Sequence, residues 1–156
     1  MNESQRTIST LSPDKGGAAP GTPPVITKSQ FKQLGQLGVL YLQQGLLSKA
    51  RLVFEKLVEI DPQSSDAHSA LGAVLIRQRE DNKALMHLNR AIELDSHEIS
   101  SYINRGEVRL RLNQIEPALE DLKRALELDP EIKDPATRRA RAMLLGIQET
   151  LKRASH

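Results

Sequence analysis

The sequence predicts an all-α fold of three tandem helix hairpins followed by one further helix, and three observations carry the prediction. The first is a repeat: Gly38, Gly72 and Gly106 stand 34 positions apart, and so do Ala50, Ala84 and Ala118. A fixed period of about 20–50 residues marks stacked supersecondary units. The second is composition, with 38% apolar residues but only 3% aromatic and no tryptophan. A core must then be built from Leu, Ile, Val and Ala, which pack helix against helix without bulky rings. The third is punctuation: VEIDP, IELDS and LELDP close the successive units. Proline just past a helix end stops propagation because it lacks an N–H and fixes φ.

Taken in order, residues 1–26 are dominated by Ser, Thr, Gly, Pro and Ala. Such a segment buries too little apolar surface to offset its ordering entropy and is expected to be a disordered leader. Thr27 and Gln30 have the spacing of a capping box, so a helix should begin there. Phe31, Leu34, Leu37, Leu40 and Tyr41 then recur at helical spacing as far as Gly45. The repeats are expected over 27–130, at about 31–64, 65–98 and 99–132, leaving 131–156 for a last helix and tail.

Within each repeat, the glycine of the first helix costs about 1 kcal/mol against alanine. Close approach of the second helix at Ala50, Ala84 or Ala118 should offset that cost. Phe54, Leu88 and Leu122 are expected to fill the groove one turn on, with Leu37 and Leu71 sealing it from the facing helix. The third repeat departs from this pattern. Arg105 and Arg109 occupy the columns of Leu37 and Leu71, and of Tyr41 and Leu75. Looser packing is expected there, or arginines lying over a neighbouring helix within reach of Glu107 or Glu116.

Asp134 and Pro135 read as N-cap and first residue of the last helix. Its apolar face, Ala136, Ala140, Met143, Ile147 and Leu151, should cap the third repeat. The same helix is basic, with Lys133, Arg138, Arg139, Arg141, Lys152 and Arg153. Contact with a membrane or an acidic partner is the alternative to capping.

The segments LGVLYLQQGLLSKARLVFEKLVEIDP and LGAVLIRQREDNKALMHLNRAIELDS resemble the tetratricopeptide repeat, and the resemblance runs from Phe31 to about Ile132. It implies a right-handed superhelix whose first helices line a concave groove for partner peptides, with stacking as the source of stability. Carried over by position, the first repeat contributes Lys32, Gly35, Val39, Leu42 and Gln43 to the groove. The second contributes Asp66, Ser69, Ala73, Ile76 and Arg77, and the third Ser100, Ile103, Glu107, Leu110 and Arg111. Arg141 and Leu145 of the last helix follow. Some members of the family clamp an acidic chaperone tail with Lys, Asn and Arg at set inner positions. The matching places here hold Gly35, Val39, Ala70, Ser100 and Asn104, so no such clamp is expected. In scale and layout, and in the phrase GEVRLRLNQIEPALEDL, the chain is similar to bacterial type III secretion chaperones of translocator proteins.

Other functions find little support. A formal net charge of +2 gives no general nucleic-acid surface. No run of about eighteen apolar residues is present to insert in a membrane. The absence of cysteine removes disulfides, thiolate catalysis and cysteine-ligated zinc. His68, His87, His97 and His156 lack metal-ligand spacing, and His68, in a column with Leu34 and Tyr102, reads as a packing residue. No phosphate loop or nucleophile elbow occurs. The expected protein is therefore a cytoplasmic, non-catalytic adaptor or chaperone without cofactor or metal. Its partner is an apolar extended or helical segment of another protein. The alternative is a self-associating scaffold, a homodimer through its outer face or N-terminal edge.

Overall fold

The computed structural model describes residues 25–155, so nearly all of the expected leader lies outside the described residues. These residues form seven helices and no strand: α1 Lys28–Gln43, α2 Leu47–Ile60, α3 Ser65–Arg77, α4 Asp81–Leu94, α5 Ile99–Arg111, α6 Ile115–Leu128 and α7 Pro135–Ala154. Two compact units divide them, one ending at Gln63 and the other beginning at Ser64. The first unit is the α1–α2 hairpin. The second holds α3 to α7.

Local chemistry explains each boundary. Thr27 Oγ1 accepts from the Gln30 N–H at 3.2 Å, and Gln30 Oε1 accepts from the Thr27 N–H at 2.8 Å, which completes the capping box. Each hairpin then turns by the same device. The N–H groups of Leu46, Glu80 and Gln114 reach back to Tyr41, Leu75 and Arg109 carbonyls, the six-to-one bond of a Schellman turn. That turn needs one residue with positive φ, and Gly45, Arg79 and Asn113 supply it at 74°, 63° and 58°. These three also stand one period apart.

The aspartate that closes each unit has a physical role too. Asp61 Oδ1 accepts from the Gln63 N–H at 3.1 Å and Asp95 Oδ1 from the His97 N–H at 2.9 Å. Asp129 takes two backbone donors, Lys133 N–H at 3.1 Å and Asp134 N–H at 2.9 Å. Ser64, Glu98 and Asp134 then cap α3, α5 and α7 through their side chains.

The helical glycines make room for the large residues of the second helix more than for its alanines. A Cβ on Gly38 would lie 2.6 Å from Phe54 Cζ, one on Gly72 2.8 Å from Leu88 and one on Gly106 3.2 Å from Leu122. Ala50, Ala84 and Ala118 are themselves fully buried beside these contacts. One expectation fails here. Leu37 is 37% exposed and does not close its groove, whereas Leu71 in the same column is 2% exposed. Arg105, also in that column, touches both α4 and α6 through Asn89 and Asp121. Within the second unit, the Arg105 position thus meets the preceding helix as well as its own partner.

In the second unit, Tyr102, Ile103, Leu122, Ala125, Ala140 and Leu144 form a contiguous core cluster. Ala136, Met143 and Ile147 of α7 pack against it, so this helix covers the end of the unit. The cover stops short of Leu151, which is 51% exposed.

Candidate functional site

The side chains carried over from the family pattern fall into three groups. In the first unit, Lys32, Val39 and Gln43 of α1 are exposed, while Gly35 and Leu42 are half-buried. A Cβ on Gly35 would only touch Leu57 Cδ1 at 3.9 Å, so nothing crowds that backbone. In the second unit, Ala73, Ser100, Glu107, Leu110 and Arg111 are half-buried, and Arg77 and Arg141 are exposed. These keep part or all of their surface open.

Three residues assigned to the groove are instead drawn into the protein. Ile103 is fully buried in the core cluster under α7 and offers no surface. Ile76, at 8% exposure, presents only an edge. Ser69 is 7% exposed and bound on both sides: it donates to Glu98 Oε2 at 3.0 Å and accepts from Ser101 Oγ at 2.9 Å. Because Glu98 also caps α5 at Ser101 N–H, this small network joins the starts of α3 and α5. Leu110 remains partly open yet packs against the core cluster, so it serves fold and surface together.

The charges on this face are largely satisfied from within. Arg111 pairs with Asp81 at the start of α4, with Nε 3.3 Å from Oδ2, and reaches Glu107 at 3.4 Å. Glu107 also faces Arg139 at 3.7 Å, and Arg139 donates to Asn104 Oδ1 at 2.9 Å. Of the apolar side chains that α3 and α5 were expected to offer, Ala73 and Leu110 are half-buried and Ile76 keeps 8% of its surface. Small apolar side chains left partly open suit a segment that inserts apolar side chains of its own.

The arginines of the third repeat do not look outward. Arg105 holds Asp121 through two bonds, Nε to Oδ2 at 3.0 Å and Nη2 to Oδ1 at 2.7 Å. Arg109 Nη1 adds a third at 2.8 Å, and Asp121 is 3% exposed. Asn89 Oδ1 accepts from Arg105 Nη1 at 2.8 Å, and the Pro117 carbonyl shares Arg109 Nη1 with Asp121 at 3.2 Å. Neither Glu107 nor Glu116 is the partner, and the packing here is an internal ion triad rather than a loose one. Asp121 was legible only in comparison, because its column holds Val53 and His87 in the other repeats.

His68 and His87 meet with Nδ1 atoms 3.0 Å apart and ring centroids 5.3 Å apart, so one ring must donate and the other accept. His68 is buried, as a packing residue should be. Among the described residues no group of three or more potential ligands is arranged to hold a metal ion. No helix there is long and apolar enough to cross a membrane.

Comparison with known proteins agrees with this architecture. Models of the tetratricopeptide repeat match residues 34–64 and 71–145. A type IV pilus assembly protein, PilF of Pseudomonas aeruginosa, is 51% identical over 39 residues, which is 25% of this chain and 16% of that protein. The chain therefore spans about a sixth of that relative's length. Among solved structures, the Yersinia enterocolitica type III secretion chaperone SycD in complex with a peptide of the translocator YopD is similar at a TM-score of 0.72. It is 21% identical, with 85% of this chain and 100% of that one covered. The first repeat domain of Spaghetti (RPAP3) bound to the HSP90 peptide SRMEEVD has a TM-score of 0.71 and 24% identity, covering 81% and 97%. At these identities both likenesses speak for the fold.

Proposed function

The chain belongs to the tetratricopeptide repeat family, and from that premise we propose that it is a non-catalytic module that binds an apolar segment of a partner protein. The second unit offers Ala73, Arg77, Glu107, Leu110, Arg111 and Arg141 for this, and the first unit, taken by itself, offers Lys32, Val39 and Gln43. One observation carries the reading. Arg111, Asp81, Glu107 and Arg139 are spent on one another, so the apolar side chains of Ala73 and Leu110 are left open to a partner, with the cations Arg77 and Arg141 also exposed. Apolar surface kept open in this way is ready to be covered by another chain.

The narrower reading is a cytoplasmic chaperone or adaptor for a protein destined for export or assembly. Its support is that two of the three similar proteins named above are, by their names, a secretion chaperone and a pilus assembly protein. Capture from a cell extract, repeated with Val39→Glu and Ala73→Glu variants, tests both readings. Loss of a bound partner with an unchanged melting temperature is the expected result. Retention of the same partner by both variants would remove these side chains from consideration. A second reading, self-association, is favoured by Leu37 and Leu40 of α1, which are 37% and 46% exposed. Sedimentation over a wide concentration range decides it, since a constant monomer mass rules it out.

A further inference from the structure

The far half of α7 is helical without being needed as a cover. From Gln148 to Ser155 every residue is exposed, and a Cβ on Gly146 would meet nothing within 4 Å. Its charges are also unlike those of α3 and α5. Arg139 is engaged by Glu107 and Asn104, and Arg153 by Glu149. Arg138, Arg141 and Lys152 are exposed and make no ion pair among the described residues.

At roughly 100° per residue these three cations share an arc of about 60°, with Leu145 among them. Leu145 is 57% exposed. One acid falls on the same arc, Asp134, and its carboxylate is occupied in capping the Ala136 N–H at 2.7 Å. The arc is about 21 Å long from Arg138 to Lys152, enough to lie along about six residues of an extended chain.

We propose that this face of α7 docks an acidic segment of a protein partner, with Leu145 receiving one apolar side chain between the charges. The proposal rests on the reading of the chain as a partner-binding module and assigns the chemistry of one part of the partner. Charge complementarity chooses the occupant, because unpaired cations in a row attract a row of carboxylates and speed encounter. A lipid surface fits poorly. Leu145 and Leu151 are the large apolar side chains that α7 exposes, and they diverge by roughly 120°, leaving no continuous apolar stripe to insert. Nucleic acid fits no better, since α7 carries no aromatic ring on which a base could stack.

The test is fluorescence anisotropy on the full chain with a labelled synthetic peptide of Glu, Ala and Leu, against the same peptide with Gln for Glu. The acidic peptide should bind, weaken as salt rises, and bind at least about tenfold more weakly to an Arg138→Glu/Arg141→Glu/Lys152→Glu variant. Leu145→Ala should weaken it severalfold. Lys123→Glu, an exposed reversal on α6, should leave it unchanged. Equal binding of the Glu and Gln peptides, or full binding by the triple variant, would overturn the proposal. So would tighter binding of an RNA oligomer or of anionic phosphatidylserine vesicles. The two readings separate cleanly: Val39→Glu and Ala73→Glu abolish capture of the native partner if the apolar reading is right. They leave binding of the Glu peptide to α7 intact.

Discussion

At position 72 a hydrogen stands where alanine would carry a methyl group, and Leu88 occupies the space. Adding that methyl would relieve about 1 kcal/mol of helix cost, but the new Cβ would lie 2.8 Å from Leu88. Overpacking of this kind costs about 1–3 kcal/mol, so the clash should win. Gly72→Ala is expected to lower the urea midpoint, and Gly106→Ala, with 3.2 Å of clearance, to lower it less. Asp121 raises the stakes further because its two guanidinium partners are themselves largely covered. Truncating it to alanine should cost about 3–5 kcal/mol by stranding buried positive charge. Replacing Arg105, Arg109 and Asp121 together by leucine should return most of that stability, as a denaturation series on the two variants would reveal.

Among elements, the joint between α6 and α7 depends on one carboxylate. Asp129 titrates below the usual carboxylate value, chiefly because the Asp134 N–H binds its charged form, with the Lys133 N–H assisting against partial desolvation. The buried Thr137 hydroxyl lies beside it and acts in the same direction, although it makes no hydrogen bond of ordinary geometry. A folded value below the unfolded one means that folding favours the ionised form. The contribution is complete above about pH 3.9, the ordinary aspartate value, and disappears as acid carries the protein through the lower folded value. Asp129→Asn should therefore lower the melting temperature at neutral pH, and the gap from wild type should close in strong acid. The sequence announced this aspartate by its period and left its work unstated. The starts of α1 and α7, the turn at Gly45 and the glycine columns were readable because each depends on neighbours a few residues away or on the period. The Arg105–Asp121 pair and the burial of Ile103 were not, since both arise from helices that meet at distances of 16 residues or more along the chain.

For the whole molecule, the two units differ in how much core each owns. The first buries Ala50, Phe54 and Leu57 and leaves Leu37, Val39, Leu40, Leu46 and Leu52 more than a third exposed. The second has fully buried Leu88, Ile103, Val108 and Leu122 and a helix over its end. Residues 64–156 alone are expected to stay helical and melt cooperatively, while residues 25–63 alone should show little helix, since a lone hairpin has no stacked neighbour. Circular dichroism of the two fragments checks this. Of the residues carried over from the family pattern, Val39, Ala73 and Arg141 keep accessible surface. The inward turn of Ser69 and Ile103 depended on α5 and α7, whose contacts no local pattern encodes.

The ion triad also limits how the repeats can be exchanged. A chimera that took its sixth helix from another repeat would bring Val53 or His87 opposite Arg105 and Arg109, and two cations would face each other with no anion between them. The third hairpin can be transplanted as a matched pair of helices, but shuffling it one helix at a time would break the arrangement in which those charges cancel.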